Sequence, residues 1–359
     1  MKKVLIETHH LYYWPNFLPV VQEMLKRGTY DIHVSMPVRS SLTQENILSN
    51  ACETAKVSFL SAETEDKRIK KLNDEKFDII LVGNIGQLSK ISSSRALVVM
   101  VYHGIGLKQS YYRDIDPRVD IRSVESVARF NELMSHGHDN IVLTGYTKLD
   151  RLVNFSNPEI KFTNQRLELD PDKKSVLYAP SFYPTSIDKL HPYLLELSQD
   201  HNIIIKLHGF GWEQKKYQYQ NSLCSELSKK SNSIHLLQNE DYDIVPYYLC
   251  ADMLISDISS TLFEYLPLDK PIIQAQCYNL KFKHRIFKKR FWKKMDVDRQ
   301  DNVDFAYQIV EADNILGMVH YAMDNHDEMS TERKEATEHY LYKVDGNASY
   351  RLIDAIEAY

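Results

Sequence analysis

Five residues, Asp257-Ile258-Ser259-Ser260-Thr261, place three hydroxyls in a row behind a carboxylate. They follow an apolar run, Ala251–Ser256, that reads as a short strand, and precede a helical pattern at Leu262–Leu266. Ser, Thr and Asp cap helix starts. A helix start presents unpaired N–H groups and partial positive charge, so it suits an anion such as phosphate. The alternative is a plain N-cap. His208 follows the apolar run Ile203–Leu207, and strand alternation turns Lys206 and His208 to one side. A cation beside an imidazole fits a phosphate clamp or a base; the alternative is a solvated pair on a strand edge. His103 ends the apolar run Ala96–Tyr102 and precedes Gly104, which allows close approach of a substrate. An imidazole, with its ordinary pKa of roughly 6.5, suits general-base work. Lys108, five residues on, could carry charge for a phosphate. The alternative for His103 is a loop histidine bonded to a backbone carbonyl.

Other clusters carry weaker signals. His9-His10 fall in the first strand–helix loop. His136-Gly137-His138-Asp139 has two imidazoles but no third ligand nearby, so no metal is expected. The segment Lys281–Lys294, KFKHRIFKKRFWKK, interleaves cations with Phe282, Phe287, Phe291 and Trp292. It could face an anionic membrane, nucleic acid or plain solvent. Rings between the charges favour the membrane interface, through Lys281, Arg285, Lys288, Lys289, Arg290 and Trp292.

These residues need a scaffold that brings strand ends together. The 359 residues suggest two domains, and 43% hydrophobic content is enough for real cores. A net charge of −5 does not suggest a nucleic-acid binder. Four scattered cysteines without C-x-x-C fit a reducing compartment. The N-terminal apolar run is too short for a signal peptide. No stretch approaches the roughly 18–20 apolar residues of a membrane span. A cytoplasmic protein, peripheral on the inner face of the cell membrane, is expected.

Along the first half, Lys2–Glu7, Asp31–Met36, Lys56–Leu60, Asp78–Val82, Ala96–Tyr102 and Ile141–Thr144 read as strands. Phe17–Lys26, Glu45–Ala51, Glu65–Asn73 and Val124–Ser135 read as helices. Phe155–Lys173, polar and holding two prolines, reads as a linker. The pattern then restarts with strands at Ser175–Ala179, His201–Leu207, Ser233–Leu237 and Ala251–Ser256, followed by one opening at Pro271. Asp304–Asn325, Thr331–Tyr340 and Ala348–Ala358 read as helices. Alternation of this kind gives an α/β fold of two doubly wound parallel sheets. Ligands then bind outside the carboxyl ends of the strands, where His103, Gly145, Ser181, His208 and Asp257 all fall.

Several segments resemble the CDP-glycerol glycerophosphotransferases, the teichoic acid primases and polymerases. VYHGIGLK is similar to that family's HG-T-P-L-K, and VLTGYTKLD to its TGYPRND. VLYAPSF resembles YAPTW, and IIIKLHG resembles K-x-HP. ADMLISDISSTLFEYLPLDKPII resembles AD-x-LI-[ST]-DYSS-x-x-FDY-x-x-x-x-KP, and DGNASYR resembles DGKASER. The matches keep their order from roughly Ala96 to Arg351. Departures include Lys148 for the family's arginine, Phe182 for its tryptophan, Ile258 for its tyrosine and Gly209 for its proline.

The resemblance implies a GT-B fold, with two Rossmann-like domains facing a central cleft and a C-terminal helix returning to the first. Residues 1–155 would form the acceptor-side domain, 156–344 the nucleotide-donor domain and 345–359 the returning helix. It implies transfer of an alditol phosphate, glycerol phosphate foremost, from a CDP-alditol donor to a hydroxyl. The acceptor is expected to be a lipid-linked or cell-surface glycan, in teichoic acid, capsule or surface polysaccharide synthesis. No cofactor is expected, because no carboxylate cluster suggests a metal and Lys and His side chains can neutralise the diphosphate. His103 would be the base, and His208 a donor-phosphate contact or a second catalytic group. Gly104, Lys108, Lys148, Ser181, Lys206, Asp257, Ser259, Ser260 and Thr261 would bind the donor. A lysine at 148 cannot make arginine's bidentate phosphate contact. Alternatives are a GT-B glycosyltransferase using a nucleotide sugar and a catalytically silent nucleotide-binding partner.

Overall fold

The computed structural model describes residues 1–38, 42–86, 88–91, 95–105, 116–292 and 303–359, with the backbone alone at 288 and 290. Lys108 lies outside the described residues. The chain divides into two compact units: Met1–Gly104, Ser110–Asn154 and His339–Tyr359 in the first, and Ile105–Gln109 and Phe155–Glu338 in the second.

The first unit holds a seven-stranded parallel sheet. Its strands are β1 (Lys2–Glu7), β2 (Tyr30–Ser35), β3 (Ser58–Leu60), β4 (Ile79–Val82), β5 (Leu97–Val101), β6 (Ile121–Val124) and β7 (Ile141–Leu143). Their order in the sheet is β3-β2-β1-β4-β5-β6-β7. The central strands are unbroken apolar runs such as Ile79-Ile80-Leu81-Val82, because helices cover both faces. The order reverses between β1 and β4, which opens a crevice at their carboxyl ends.

The second unit repeats the plan with six parallel strands: β8 (Lys174–Ala179), β9 (His201–Ile205), β10 (Ile234–Leu236), β11 (Met253–Ser256), β12 (Ile272–Ala275) and β13 (Tyr307–Ile309). Their order is β10-β9-β8-β11-β12-β13, with the reversal between β8 and β11. Its core joins β8, β9, β11 and β12 to the helix Ile187–Leu197 through Val176, Ile203, Ile255, Ile273, Leu190 and Leu194.

Three readings of the sequence are corrected. Val124 ends β6 instead of starting a helix, which runs Val127–Ser135 behind the Ser126 cap. The strand IRSV is masked in sequence by Arg122, which is buried yet donates to Tyr102 Oη and Asp116 O at 3.3 and 3.2 Å. Phe155–Lys173 is not a plain linker, because Asn157–Arg166 is helical. Ser156 and Glu159 form a capping box, and Pro158 sits in the first turn, where a missing N–H is harmless. The segment Asp304–Asn325 is not one helix: Tyr307–Ile309 pairs with β12 as an edge strand, and the helix begins at Ile315.

The C-terminal helix, Ala348–Ala358, packs within the first unit. Asp150 accepts from the Ala348 and Ser349 amides at 2.8 and 2.7 Å, capping the helix start. Arg27 bridges Asp354 and Glu357 near the other end, at 2.7 and 2.6 Å.

Candidate active site

In the second unit, the carboxyl ends of β8, β9 and β11 bring together Ser181, Lys206, His208 and the run Asp257–Thr261. β9 ends at Ile205, two residues earlier than expected, yet alternation persists beyond it. Leu207 is buried, while Lys206 and His208 on either side are partly exposed. The Phe210 amide donates to His208 Nδ1 at 3.1 Å. An acceptor nitrogen carries no proton, so the neutral His208 ring bears its hydrogen on Nε2. In its neutral form His208 is therefore a hydrogen-bond donor at Nε2. Phe182 packs against it with ring centroids 4.7 Å apart.

The Asp257 carboxylate points into the protein interior. It is fully buried, with Oδ1 accepting from the Ser181 amide at 2.6 Å and Oδ2 from the Ser186 amide at 3.0 Å. The Ser186 hydroxyl adds a third bond at 3.1 Å. Asp257 thus ties the loop after β8 to the turn after β11 across the switch point. Burial pushes its pKa up to about 6, against the lowering effect of these donors. Ser181 is itself buried, and its hydroxyl donates to the Pro184 carbonyl.

The helix behind the hydroxyls is a single turn, Thr261–Glu264, followed by a 3-10 turn at Leu266–Leu268. One turn sums few peptide dipoles, so the helix-dipole contribution is smaller than the sequence suggests. The hydroxyls are engaged locally. Ser259 Oγ accepts from the Thr261 amide at 3.3 Å, Ser260 Oγ donates to Glu264 Oε1 at 2.9 Å, and Thr261 Oγ1 pairs with Ser256 Oγ at 2.8 Å. Glu264 is buried and also accepts from Tyr248 Oη at 2.8 Å. Ser259, Ser260 and Thr261 remain partly exposed.

In the first unit, His103 and Gly104 follow β5 beside the loops after β1 and β4. His103 Nδ1 lies 2.8 Å from the Gly83 carbonyl. A carbonyl only accepts, so Nδ1 holds the proton and the neutral ring is basic at Nε2. The two histidines therefore carry opposite tautomers: one presents a lone pair at Nε2, the other an N–H. Tyr13 stacks on His103 with centroids 3.9 Å apart and planes 15° apart. Nothing in the sequence singles out Tyr13 or Gly83, whose loops carry no motif. Lys148 also belongs to the first unit, in the 3-10 turn Thr147–Leu149, and is only 9% exposed.

The basic segment forms two short helices, Phe282–Ile286 and Lys288–Trp292. Lys281, Arg285 and Lys289 are exposed; the side chains of Lys288 and Arg290 lie outside the description. Trp292 is half-buried beside Phe291 and Tyr278, so it is not the exposed ring of the patch. Phe282, Ile286 and Phe287 are the exposed apolar residues instead. The segment is anchored to the loop after β8: Tyr183 Oη lies 2.5 Å from His284 Nδ1 and accepts from the Lys281 amide at 3.1 Å. Among the described residues, no group of three or more His, Cys, Asp or Glu side chains could hold a metal ion.

A sequence model described as CDP-Glycerol:Poly(glycerophosphate) glycerophosphotransferase matches residues 122–358. The chain belongs to this family. The match starts after His103 and Gly104, which rest on the VYHGIGLK resemblance. A teichoic acid poly(ribitol-phosphate) polymerase of Bacillus spizizenii is 25% identical over 234 residues, covering 61% of this chain and 33% of that protein. A teichoic acid poly(glycerol phosphate) polymerase of Staphylococcus epidermidis is 31% identical over 138 residues, covering 37% and 19%. The aligned region is thus about a third or less of these relatives' length. A variant of the wall teichoic acid polymerase TagF soaked with CDPG shares the fold, with a TM-score of 0.70 at 16% identity over 99% of this chain and 88% of that one. A Staphylococcus aureus MnaA–UDP structure aligns with a TM-score of 0.66 at 15% identity, over 100% and 97%.

Proposed function

We propose that this chain transfers an alditol phosphate, glycerol phosphate foremost, from a CDP-activated donor to a glycan hydroxyl. The family match over residues 122–358 carries this reading. The second unit would hold the donor diphosphate through the partly exposed Ser259–Thr261 turn, Lys206 and the Nε2–H of His208. His103 Nε2 would take the proton of the acceptor hydroxyl. The acceptor oxygen bonds to the donor's β-phosphorus as the bond from that phosphorus to the bridging oxygen breaks, and CMP leaves with the electron pair. Donors aimed at the phosphate oxygens supply most of the stabilisation in such a transfer. Lys108 and Lys148 stay in the proposal as further donor-side cations, and Gly104 as a point of close approach. The acceptor would be lipid-linked, reached from an anionic membrane surface at the cytoplasmic face through the basic segment. No helix among the described residues is long and apolar enough to cross a membrane.

Turnover tests this reading. The protein is incubated with CDP-glycerol, CDP-ribitol, and UDP- and GDP-sugars in the presence of membrane extract, and the released nucleotide is identified. CMP from a CDP-alditol is expected, with His103→Ala lowering the rate about 10²–10⁴-fold. A released nucleoside diphosphate would move the chain to the glycosyltransferases. Binding without release from any donor would make it a silent partner.

A further inference from the structure

We propose that Tyr13 and the Gly83 turn are positioning residues that fix His103 as a base at Nε2 and raise its basicity. The inference rests on His103 being the base, as proposed above. Three neighbouring strands build the arrangement: Tyr13 comes from the loop after β1, Gly83 and Asn84 follow β4, and His103 follows β5. The Gly83 carbonyl, 2.8 Å from Nδ1, sets the tautomer. The Tyr13 ring lies flat on the imidazole at 3.9 Å, and its hydroxyl accepts from Asn84 Nδ2 at 3.0 Å. One turn thus holds both the imidazole and the ring stacked on it. A Cβ at 83 would lie 2.6 Å from Tyr13 Cδ2, so a side chain there would push the ring aside.

The arrangement has a chemical consequence. Taking a proton turns His103 into a cation under an aromatic face, and that face stabilises positive charge. The Gly83 carbonyl stabilises it further. Other described titratable groups face the same cluster. Tyr12 lies edge-on to His103 at 6.1 Å, His10 stacks on Tyr12 at 5.1 Å and approaches Tyr13 at 5.6 Å, and His9 Nε2 lies against Gly86. His10 and Tyr12 also pack on Tyr13, the Tyr12 ring at 4.8 Å, so Tyr13→Phe, which keeps the ring, serves as the control for their displacement.

The test is nitrogen-15 NMR of the full chain labelled at histidine, with the His103 signals identified by their loss in His103→Gln. Neutral wild-type His103 should be protonated on Nδ1. Tyr13→Leu should lower its pKa by roughly half a unit and mix its tautomers, while Tyr13→Phe, which keeps the stack, should stay near wild type. If Tyr13→Leu does not fold, Gly83→Ala displaces the same ring and should give the same shift. The acid limb of CMP release against pH should move down with the NMR value, because the base acts in its neutral form. A wild-type ring protonated on Nε2, or an unchanged pKa and tautomer in the folded variants, would overturn the inference. If the NMR results hold and no CDP-alditol releases CMP, the functional reading fails and the positioning stands. If CMP release needs His103 but the ring is protonated on Nε2, the reverse is true.

Discussion

Asp257 touches no solvent, so its effect on a ligand passes through the loop it holds. Three donors converge on its carboxylate from Ser181 and Ser186. Asp257→Ala would leave two buried amides unpaired and should destabilise the second unit by about 2–5 kcal/mol. The pH dependence has a definite sign. The folded pKa of about 6 lies above the ordinary carboxyl value of 3.8. Between these values the folded chain keeps a proton that the unfolded chain has lost. Stability should therefore fall as pH rises from about 4 to about 6 and level off above, by about 3 kcal/mol in all. Asp257→Asn, which does not titrate, should lack that component. Denaturant midpoints of the two proteins across pH 4–7 check this, and parallel curves would reject it.

At the scale of elements, much of the fold is legible in the sequence. β1, β4, β5 and β9 are apolar runs with few other possible conformations, and their alternation with helical patterns gives the two doubly wound sheets. The losses have physical causes. β6 hides behind a buried arginine that finds its partners only in three dimensions, and β13 is a three-residue edge that pairing defines. The candidate site divides in the same way. Strand ends direct attention to His103, His208 and Ser259–Thr261, because chain order fixes where a strand stops. Side-chain direction within a turn has no period to read, so the inward aim of Asp257 and the stack of Tyr13 on His103 are absent from the sequence. Gly145, in the TGY segment, shows what a motif residue does structurally. Its φ is +93°, and a Cβ would lie 2.6 Å from the Tyr342 carbonyl, where the chain enters the C-terminal segment. Arg351 Nε donates to the neighbouring Thr144 carbonyl at 2.6 Å. Gly145→Ala should therefore cost about 1–3 kcal/mol from backbone strain, more if Tyr342 cannot move. Hydrogen exchange should show the loss first in the helix Ala348–Ala358; protection unchanged there would argue against it.

For the molecule as a whole, charge and apolar exposure are unevenly distributed. The chain carries 49 acidic against 44 basic residues, so its average field repels an anionic surface. Lys281, Lys283, Arg285 and Lys289 are nevertheless exposed together, beside Phe282, Ile286 and Phe287. Lys281 is partly engaged, with Nζ 4.8 Å from the Tyr183 ring centre and 5.4 Å from that of Tyr217. Arg285 is engaged too, donating through Nε to the Leu280 carbonyl at 2.6 Å and through Nη2 to Asn279 Oδ1 at 3.4 Å, so Lys283 and Lys289 are the better candidates for lipid headgroups. Each basic residue near an anionic bilayer contributes about 1 kcal/mol, so each single alanine change should weaken vesicle binding about fivefold. Apolar insertion and charge attraction are separable. Salt should weaken binding of the wild type to phosphatidylserine vesicles, because the Debye length shrinks to about 3 Å at 1 M. The part that survives high salt should disappear in Phe282→Ser/Phe287→Ser. Sedimentation with phosphatidylserine and with phosphatidylcholine vesicles distinguishes the cases. Binding to phosphatidylserine alone that falls with salt supports an anionic surface. Equal binding to both would assign the contact to the apolar residues, and binding to neither would leave the segment a solvated face.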